Sequence, residues 1–250
     1  MAEREWYKEW FNSPFYHKLY FERDETEAED FITNLLNYLN PQPSCRFLDV
    51  ACGKGRHSKF LASKGYDVNG IDISIDSINY AKKFETDNLH FYVHDMRLLF
   101  WVNYFDYALN LFTSFGYFAS RRENEDALRT IAASLKPSGI LLLDYLNVHY
   151  VEDRLVHNEE KRIDDTLYEI HRWHDESHFF KKIIVTDPLL DQPQEYIEKV
   201  AKFSIGDFTE MLAFQNIQVK EVFGNYKFQS YDLKTSPRLV IVAQKTNPYN

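Results

Sequence analysis

The sequence predicts an α/β protein: a doubly wound, mostly parallel sheet of seven strands, with an antiparallel β insertion and an N-terminal helical segment. Three observations carry this expectation. Between residues 45 and 149, short apolar runs alternate with helix-patterned stretches, as in βαβ units whose parallel strands are buried on both faces. Residues 163–205 hold successive strand-like runs with turn residues between them and no helical pattern. Residues 1–23 are crowded with aromatic side chains ahead of a clear helix. The chain therefore divides into a helical cap (1–44), a core (45–149), an antiparallel insertion (150–205) and a closing helix with two strands (206–250).

In order, Trp6, Tyr7, Trp10, Phe11, Phe15, Tyr16 and Tyr20 form the aromatic segment, and Ser13-Pro14 starts a second short helix within it. Thr26 with Glu29 makes a capping box ahead of Phe31, Leu35, Leu36 and Leu39, and Pro41 and Pro43 stop that helix. Arg46–Val50 is the first strand, and a glycine loop leads into a helix ending near Ser63. Gly65 closes that helix before the second strand, Asp67–Ile71. Asp76–Phe84 is a helix, His90–Val93 and Phe105–Leu111 are strands, and Arg122–Leu135 is a long helix. Lys136-Pro137-Ser138-Gly139 reads as a turn, followed by an apolar fifth strand, Ile140–Leu146. The insertion offers strands Leu167–Trp173, Phe179–Thr186 and Tyr196–Phe203, the first two joined by a hairpin turn at Asp175-Glu176-Ser177. Gly206–Phe214 is the last helix, and Ile217–Phe223 with Arg238–Lys245 completes the sheet as a hairpin.

Composition narrows the function classes. Thirty-eight acidic residues against 29 basic give a net charge of −9, which repels phosphate backbones, so no nucleic-acid partner is expected. No stretch approaches the ~18 consecutive apolar residues of a membrane span, so no membrane partner is expected. Cys45 and Cys52 are too few for a disulfide framework and suit a reducing compartment. With no signal-peptide core near the N-terminus, the expected location is the cytoplasm. Aromatic residues at 16% are enough to wall a pocket as well as fill a core.

The chemistry concentrates at three strand ends. Asp49 lies in a strand end before Ala51, Cys52, Gly53 and Gly55, and a helix follows. Glycines there let the backbone approach a ligand and expose N–H groups at the helix start. Asp72, followed by Ile73, ends the next strand 17 positions after Gly55, close to the ~20-residue offset at which an acid meets ribose hydroxyls. Asp95 and Met96 follow the third strand, placed to take an adenine amino group and pack on its ring. Plain structural readings stand beside these: Asp72 as a helix cap near Ser74, Asp95 as a turn cap, Cys52 as packing. A dinucleotide site prefers G-x-G-x-x-G, but the third position here is Ser58, and Asp49 would face a pyrophosphate badly while suiting an ammonium.

Asp49-Val-Ala-Cys-Gly53-Lys-Gly55, Asp72, Asp95 and Lys136-Pro-Ser-Gly139 resemble the signatures of the class I S-adenosylmethionine-dependent methyltransferases, a Rossmann-like family. The resemblance covers residues 45–146 and returns in the last two strands; the insertion resembles the acceptor subdomain of small-molecule N- and O-methyltransferases. Ala51 departs from the pattern, standing where glycine is frequent. The resemblance implies S-adenosylmethionine as cofactor and a small-molecule methyl acceptor. It implies that the glycine loop and Asp72 hold the methionine and ribose parts, and that Asp95 and Met96 flank adenine.

Asn110, Leu111 and Phe112 end the fourth strand at the edge where open α/β sheets bind ligands, and Phe115, Tyr117 and Phe118 follow as possible walls for a sulfonium. Tyr16 and Tyr20, one helical turn apart, are placed to cover the cofactor, with Arg23 reaching its carboxylate. Tyr117, Tyr145 and His149 are the candidates for a catalytic base. His171, His174 and His178 fall on a hairpin that splits them between faces, so no metal is expected. An NAD(P)-binding reductase and a non-catalytic cofactor-binding module are the competing readings.

Overall fold

The computed structural model describes residues 5–20 and 25–246. In chain order, α1 (Trp6–Phe11), α2 (Pro14–Leu19) and α3 (Glu25–Leu39) lead into β1 (Arg46–Val50), α4 (Arg56–Ser63), β2 (Asp67–Asp72) and α5 (Ile75–Ala81). β3 (Leu89–Val93), β4 (Phe105–Asn110), α6 (Arg121–Ser134), β5 (Leu135–Leu146) and α7 (Val148–Asp153) follow. Then come β6 (Asn158–Ile163), β7 (Thr166–His174), β8 (His178–Thr186) and β9 (Gln194–Ala201), and finally α8 (Ile205–Ala213), β10 (Ile217–Phe223) and β11 (Arg238–Lys245).

Seven strands form one sheet in the order β10-β11-β5-β4-β1-β2-β3. β11 runs antiparallel to both its neighbours, while β1 to β5 are mutually parallel. β1 lies beside both β2 and β4, so the winding reverses there, and a crevice opens beyond the carboxyl ends of these strands. Successive strand residues feed opposite faces. Leu48, Leu141, Leu143, Leu239 and Ile241 pack with Ala127, Leu128 and Ile131 of α6 and with Phe208, Met211 and Leu212 of α8. Phe47, Leu142, Val240 and Val242 pack with Phe31, Ile32 and Leu35 of α3, Leu61 of α4 and Ile78 of α5.

β6 to β9 form a second, antiparallel sheet. Its inner residues Tyr168, Ile170, Ile183 and Val185 bury Trp10 and Leu19 of the N-terminal helices. The end of β9 is clasped to the main sheet: Ala201 N–H donates to Gly116 O at 2.8 Å, and Tyr145 Oη donates to Ala201 O at 2.6 Å.

The structure departs from the sequence-based elements in several places. β6 was not expected because its residues, Asn-Glu-Glu-Lys-Arg-Ile, are mostly charged; it is an exposed edge strand, where charges discourage further pairing. α7 likewise was not expected. Lys136–Gly139 is no separate turn but an irregularity inside β5: Phe105 pairs with Leu135, Tyr107 with Ile140, and Ser138 takes φ 63°. α3 already includes Glu25 and Thr26, so Thr26 does not cap it. The helix expected over 76–84 is α5, capped by Ser74 Oγ on Ser77 N–H, followed by a 3₁₀ turn at Lys82–Phe84. β5 also carries Asp144, fully buried, so it is not wholly apolar.

Candidate functional site

The crevice beyond β1, β2 and β3 is a cleft of about 980 Å³, its open mouth included. That is at the upper end of the range of small-molecule sites. Its floor is Ala51 and Gly53 from the loop after β1, Asp72 and Ile73 from the end of β2, and Asp95 and Met96 from the segment after β3. Phe112, Tyr117 and Phe118 come from the segment after β4. Trp6, Tyr7, Phe11, Tyr16 and Tyr20 cover it from the N-terminal helices, and Glu198 enters from β9.

The loop after β1 runs through left-handed conformations at Ala51, Gly53 and Gly55 (φ 59°, 56° and 77°). A Cβ at Gly55 would stand 2.5 Å from the Phe91 ring, so only glycine fits; one at Gly53 would meet nothing within 4 Å. Ala51 holds its left-handed angle against the preference of an L-residue. Ala51→Gly is expected to raise unfolding free energy by about 0.5 kcal/mol, the relieved strain being partly offset by glycine's freedom in the unfolded chain. Urea unfolding of the two proteins measures it, and a loss of stability would contradict the strain.

Asp72 folds back on this loop. One carboxylate oxygen accepts Gly53 N–H and the other Ser74 N–H, each at 2.8 Å. Burial raises the Asp72 carboxyl above its ordinary value, with these backbone hydrogen bonds opposing. Each oxygen keeps a second lone pair for a ligand hydroxyl, so the cap reading and the ligand reading are compatible. Asp95 likewise caps its turn, accepting Arg97 N–H at 2.9 Å. Its carboxylate also meets the Arg97 guanidinium, with Nε at 3.1 Å and Nη2 at 2.6 Å. Burial works to raise the Asp95 carboxyl, but the Arg97 hydrogen bonds outweigh it and hold it below the usual value. Arg97 reaches on to Glu5 at 2.7 Å and Glu123 at 2.9 Å, and its guanidinium lies 4.7 Å from the centre of the Phe118 ring. This network ties the start of the N-terminal cover to the Asp95 end of the cleft.

Other candidate residues lie elsewhere. Asp49 is sealed beneath the loop at 2% exposure and accepts Ser58 Oγ at 2.5 Å. Cys52 and Leu111 are core. Gly55 shapes the loop without lining the cleft. Asn110 is fully buried and donates to Val50 O and Ser114 O, bracing the turn after β4. Tyr145 is buried in the clasp on Ala201 and does not reach the cleft. His149 is exposed on α7, away from the cleft. Of the three base candidates only Tyr117 lines the cleft, and its hydroxyl donates to Thr113 O. Arg23 lies outside the described residues. Among the described residues no group of three or more His, Cys, Asp or Glu side chains is placed to hold a metal.

Sequence reasoning missed Glu198, Arg97 and the hub at Asp144. The Asp144 carboxylate accepts Phe112 N–H at 2.7 Å, Tyr226 Oη at 3.0 Å and Arg238 Nη2 at 2.7 Å. Arg238 also donates to Thr113 Oγ1 at 2.8 Å. Phe112 and Thr113 are both left-handed, with φ 56° and 60°, so this buried ion pair pins the turn that carries the Phe112 wall.

Residues 41–216 match the methyltransferase domain family. A Geobacillus sp. (strain WCH70) protein whose name assigns it to the methyltransferases is 24% identical over 92% of this chain and 97% of its own. The dTDP-3-amino-3,4,6-trideoxy-alpha-D-glucopyranose N,N-dimethyltransferase of Streptomyces venezuelae is 32% identical, but the match spans about half of each chain, 47% of this one and 48% of that one. The crystal structure of an S-adenosylmethionine-dependent methyltransferase from Clostridium acetobutylicum ATCC 824 superposes with a TM-score of 0.78 at 17% identity, over 93% of this chain and 97% of the other. Loop, strand-end acids, sheet order and sequence match agree: the chain belongs to the methyltransferase domain family and has the class I S-adenosylmethionine-dependent fold.

Proposed function

We propose that the chain transfers a methyl group from S-adenosylmethionine to a small-molecule acceptor inside the cleft. The observation that carries this is the convergence of the Gly53 loop, Asp72 and Asp95 on one aromatic-roofed cavity. The donor fits these groups. Space beside Gly53 is free, Asp72 has lone pairs for ribose hydroxyls, and Met96, Ile73 and Phe118 offer faces for a purine. When bound, it supplies an electrophilic methyl on a sulfonium. The protein's part is to hold two reactants in line and exclude water, and positioning alone removes several kcal/mol of barrier. The rings of Tyr16, Phe112 and Tyr117 suit a cationic centre.

The dinucleotide reading is weaker. Where the dinucleotide pattern has a third glycine for close helix–strand packing, Ser58 stands fully buried with its hydroxyl committed to Asp49. Among the described residues no lysine or arginine lines the cleft, and no helix is long and apolar enough to cross a membrane. The lack of basic residues in the lining accordingly disfavours a polyanionic acceptor. The unpaired thiols of Cys45 and Cys52 support a reducing, cytoplasmic setting.

Calorimetry of the purified chain is expected to give micromolar affinity for S-adenosylmethionine. Asp72→Ala should weaken it at least a hundredfold, about 3 kcal/mol, and Gly53→Arg should abolish it. A wild-type protein whose melting temperature ignores the cofactor would remove the proposal.

A further inference from the structure

Resting on that reading, we propose that Glu198 is the acceptor-recognising residue and that the acceptor is an amine, drawn in as an ammonium. Glu198 is the cleft's one acidic side chain supplied by the antiparallel sheet rather than by the strand ends of the main sheet. Among the described residues the cleft's two other acids have other work: Asp72 bonds its own loops and, on the reading above, takes the ribose hydroxyls of the donor, and Asp95 is paired with Arg97. At 17% exposure Glu198 is largely withdrawn from water, and its position is fixed. One carboxylate oxygen accepts Trp10 Nε1 at 2.7 Å and Tyr20 Oη at 2.9 Å. The other lies 3.7 Å from Lys181 Nζ, beyond direct hydrogen-bond reach and contributed by the residue directly opposite on β8. One oxygen is thus used for positioning, and the other is ion-paired with Lys181 without a direct hydrogen bond.

The surroundings favour the same class of ligand. The neighbouring walls are aromatic, Tyr16 and Tyr20 among them, and ring faces attract ammonium groups. No lysine or arginine among the described residues lines the cleft to receive a carboxylate or phosphate on the acceptor. A carboxylate beside the acceptor also suits the reaction. The amine sheds one proton to water, its lone pair forms the N–C bond, and the C–S pair stays on sulfur. Positive charge thereby moves to nitrogen, toward Glu198.

The test uses three probes of one shape: cyclohexylamine, cyclohexanol and cyclohexanecarboxylate. Each is titrated by NMR into the chain saturated with S-adenosylhomocysteine. Wild type should bind the amine at least tenfold more tightly than the alcohol, and the carboxylate least well. In Glu198→Gln that ratio should fall below about threefold while S-adenosylhomocysteine affinity stays within twofold. In Lys181→Met, which removes the cation that competes with the acceptor for Glu198, the ratio should rise by about threefold. Equal binding of amine and alcohol by wild type, or a preference that survives in Glu198→Gln, overturns the proposal. Should that variant fail to fold, an unchanged ratio in Lys181→Met overturns it. Failure of S-adenosylhomocysteine to bind wild type at all would instead count against the methyltransferase reading.

Discussion

Arg238→Leu should destabilise the protein by about 3–5 kcal/mol, because it leaves the Asp144 carboxylate buried without its counter-charge. Asp144 has no exposed surface, and Arg238 meets it through both Nε, at 2.8 Å, and Nη2, at 2.7 Å. The remaining acceptor capacity of Asp144 goes to Phe112 N–H and Tyr226 Oη, neutral donors that cannot offset a charge. The double variant Asp144→Asn/Arg238→Leu should lose less than Arg238→Leu alone, since removing both charges spares the orphaned one. Urea unfolding reads the stabilities. A second readout separates packing from site architecture: with the Phe112–Thr113 turn released, Arg238→Leu should also weaken cofactor binding measured well below its melting temperature. Equal stability of wild type and Arg238→Leu would show that the pair contributes nothing.

The other large effect is a pair of opposed pH dependences beneath the loop between β1 and α4. Burial lifts the Asp49 carboxyl from 3.8 to about 7, with Ser58 opposing and the Asp72 charge adding to the rise. Burial drives His57 from 6.5 down to about 3, and among the described residues its Nε2 finds no hydrogen-bond partner. Between pH 4 and 7 the folded state keeps a proton on Asp49 that the unfolded chain has released, so this group costs stability as pH rises. Between pH 3 and 6.5 the unfolded chain protonates His57 and the folded state does not, so this group costs stability as pH falls. Each is worth on the order of 4 kcal/mol across its window, and over the shared range they largely cancel. Wild-type stability should therefore be nearly flat from pH 4.5 to 6.5 as far as these two groups decide it. Asp49→Asn should leave a profile that climbs with pH, and His57→Gln one that falls. Denaturation midpoints of ligand-free protein at four pH values test this; three parallel profiles would refute it.

Much of the architecture was legible because its signals are local. The β1 loop, the strand-end acids and the hairpin turn at Asp175 each declare themselves within a few residues. What stayed hidden depends on partners distant in sequence. Asp144 inside an otherwise apolar strand demands a counter-charge, but only the β5–β11 register, with Leu146 opposite Arg238 and Asp144 opposite Val240, brings the arginine to it. Glu198 is likewise hidden: nothing local marks which face of β9 turns inward, and the structure leaves Ile197 outward at 46% exposure and turns Glu198 toward the cleft. Asp49 was read as a ligand from its place in the motif, whereas the sequence gives no sign that Ser58 closes over it.

The burial of Trp10 and Leu19 against Tyr168, Ile170, Ile183 and Val185 has a consequence for how the molecule assembles. α1 and α2 have six residues each, too few to persist alone in water. During synthesis they emerge well before the surface that steadies them, which is made some 150 residues later. The roof over the cleft is thus expected to set only after β7 and β8 have paired, and protection of the Trp10 indole from hydrogen exchange should lag behind that of the β7–β8 amides during refolding.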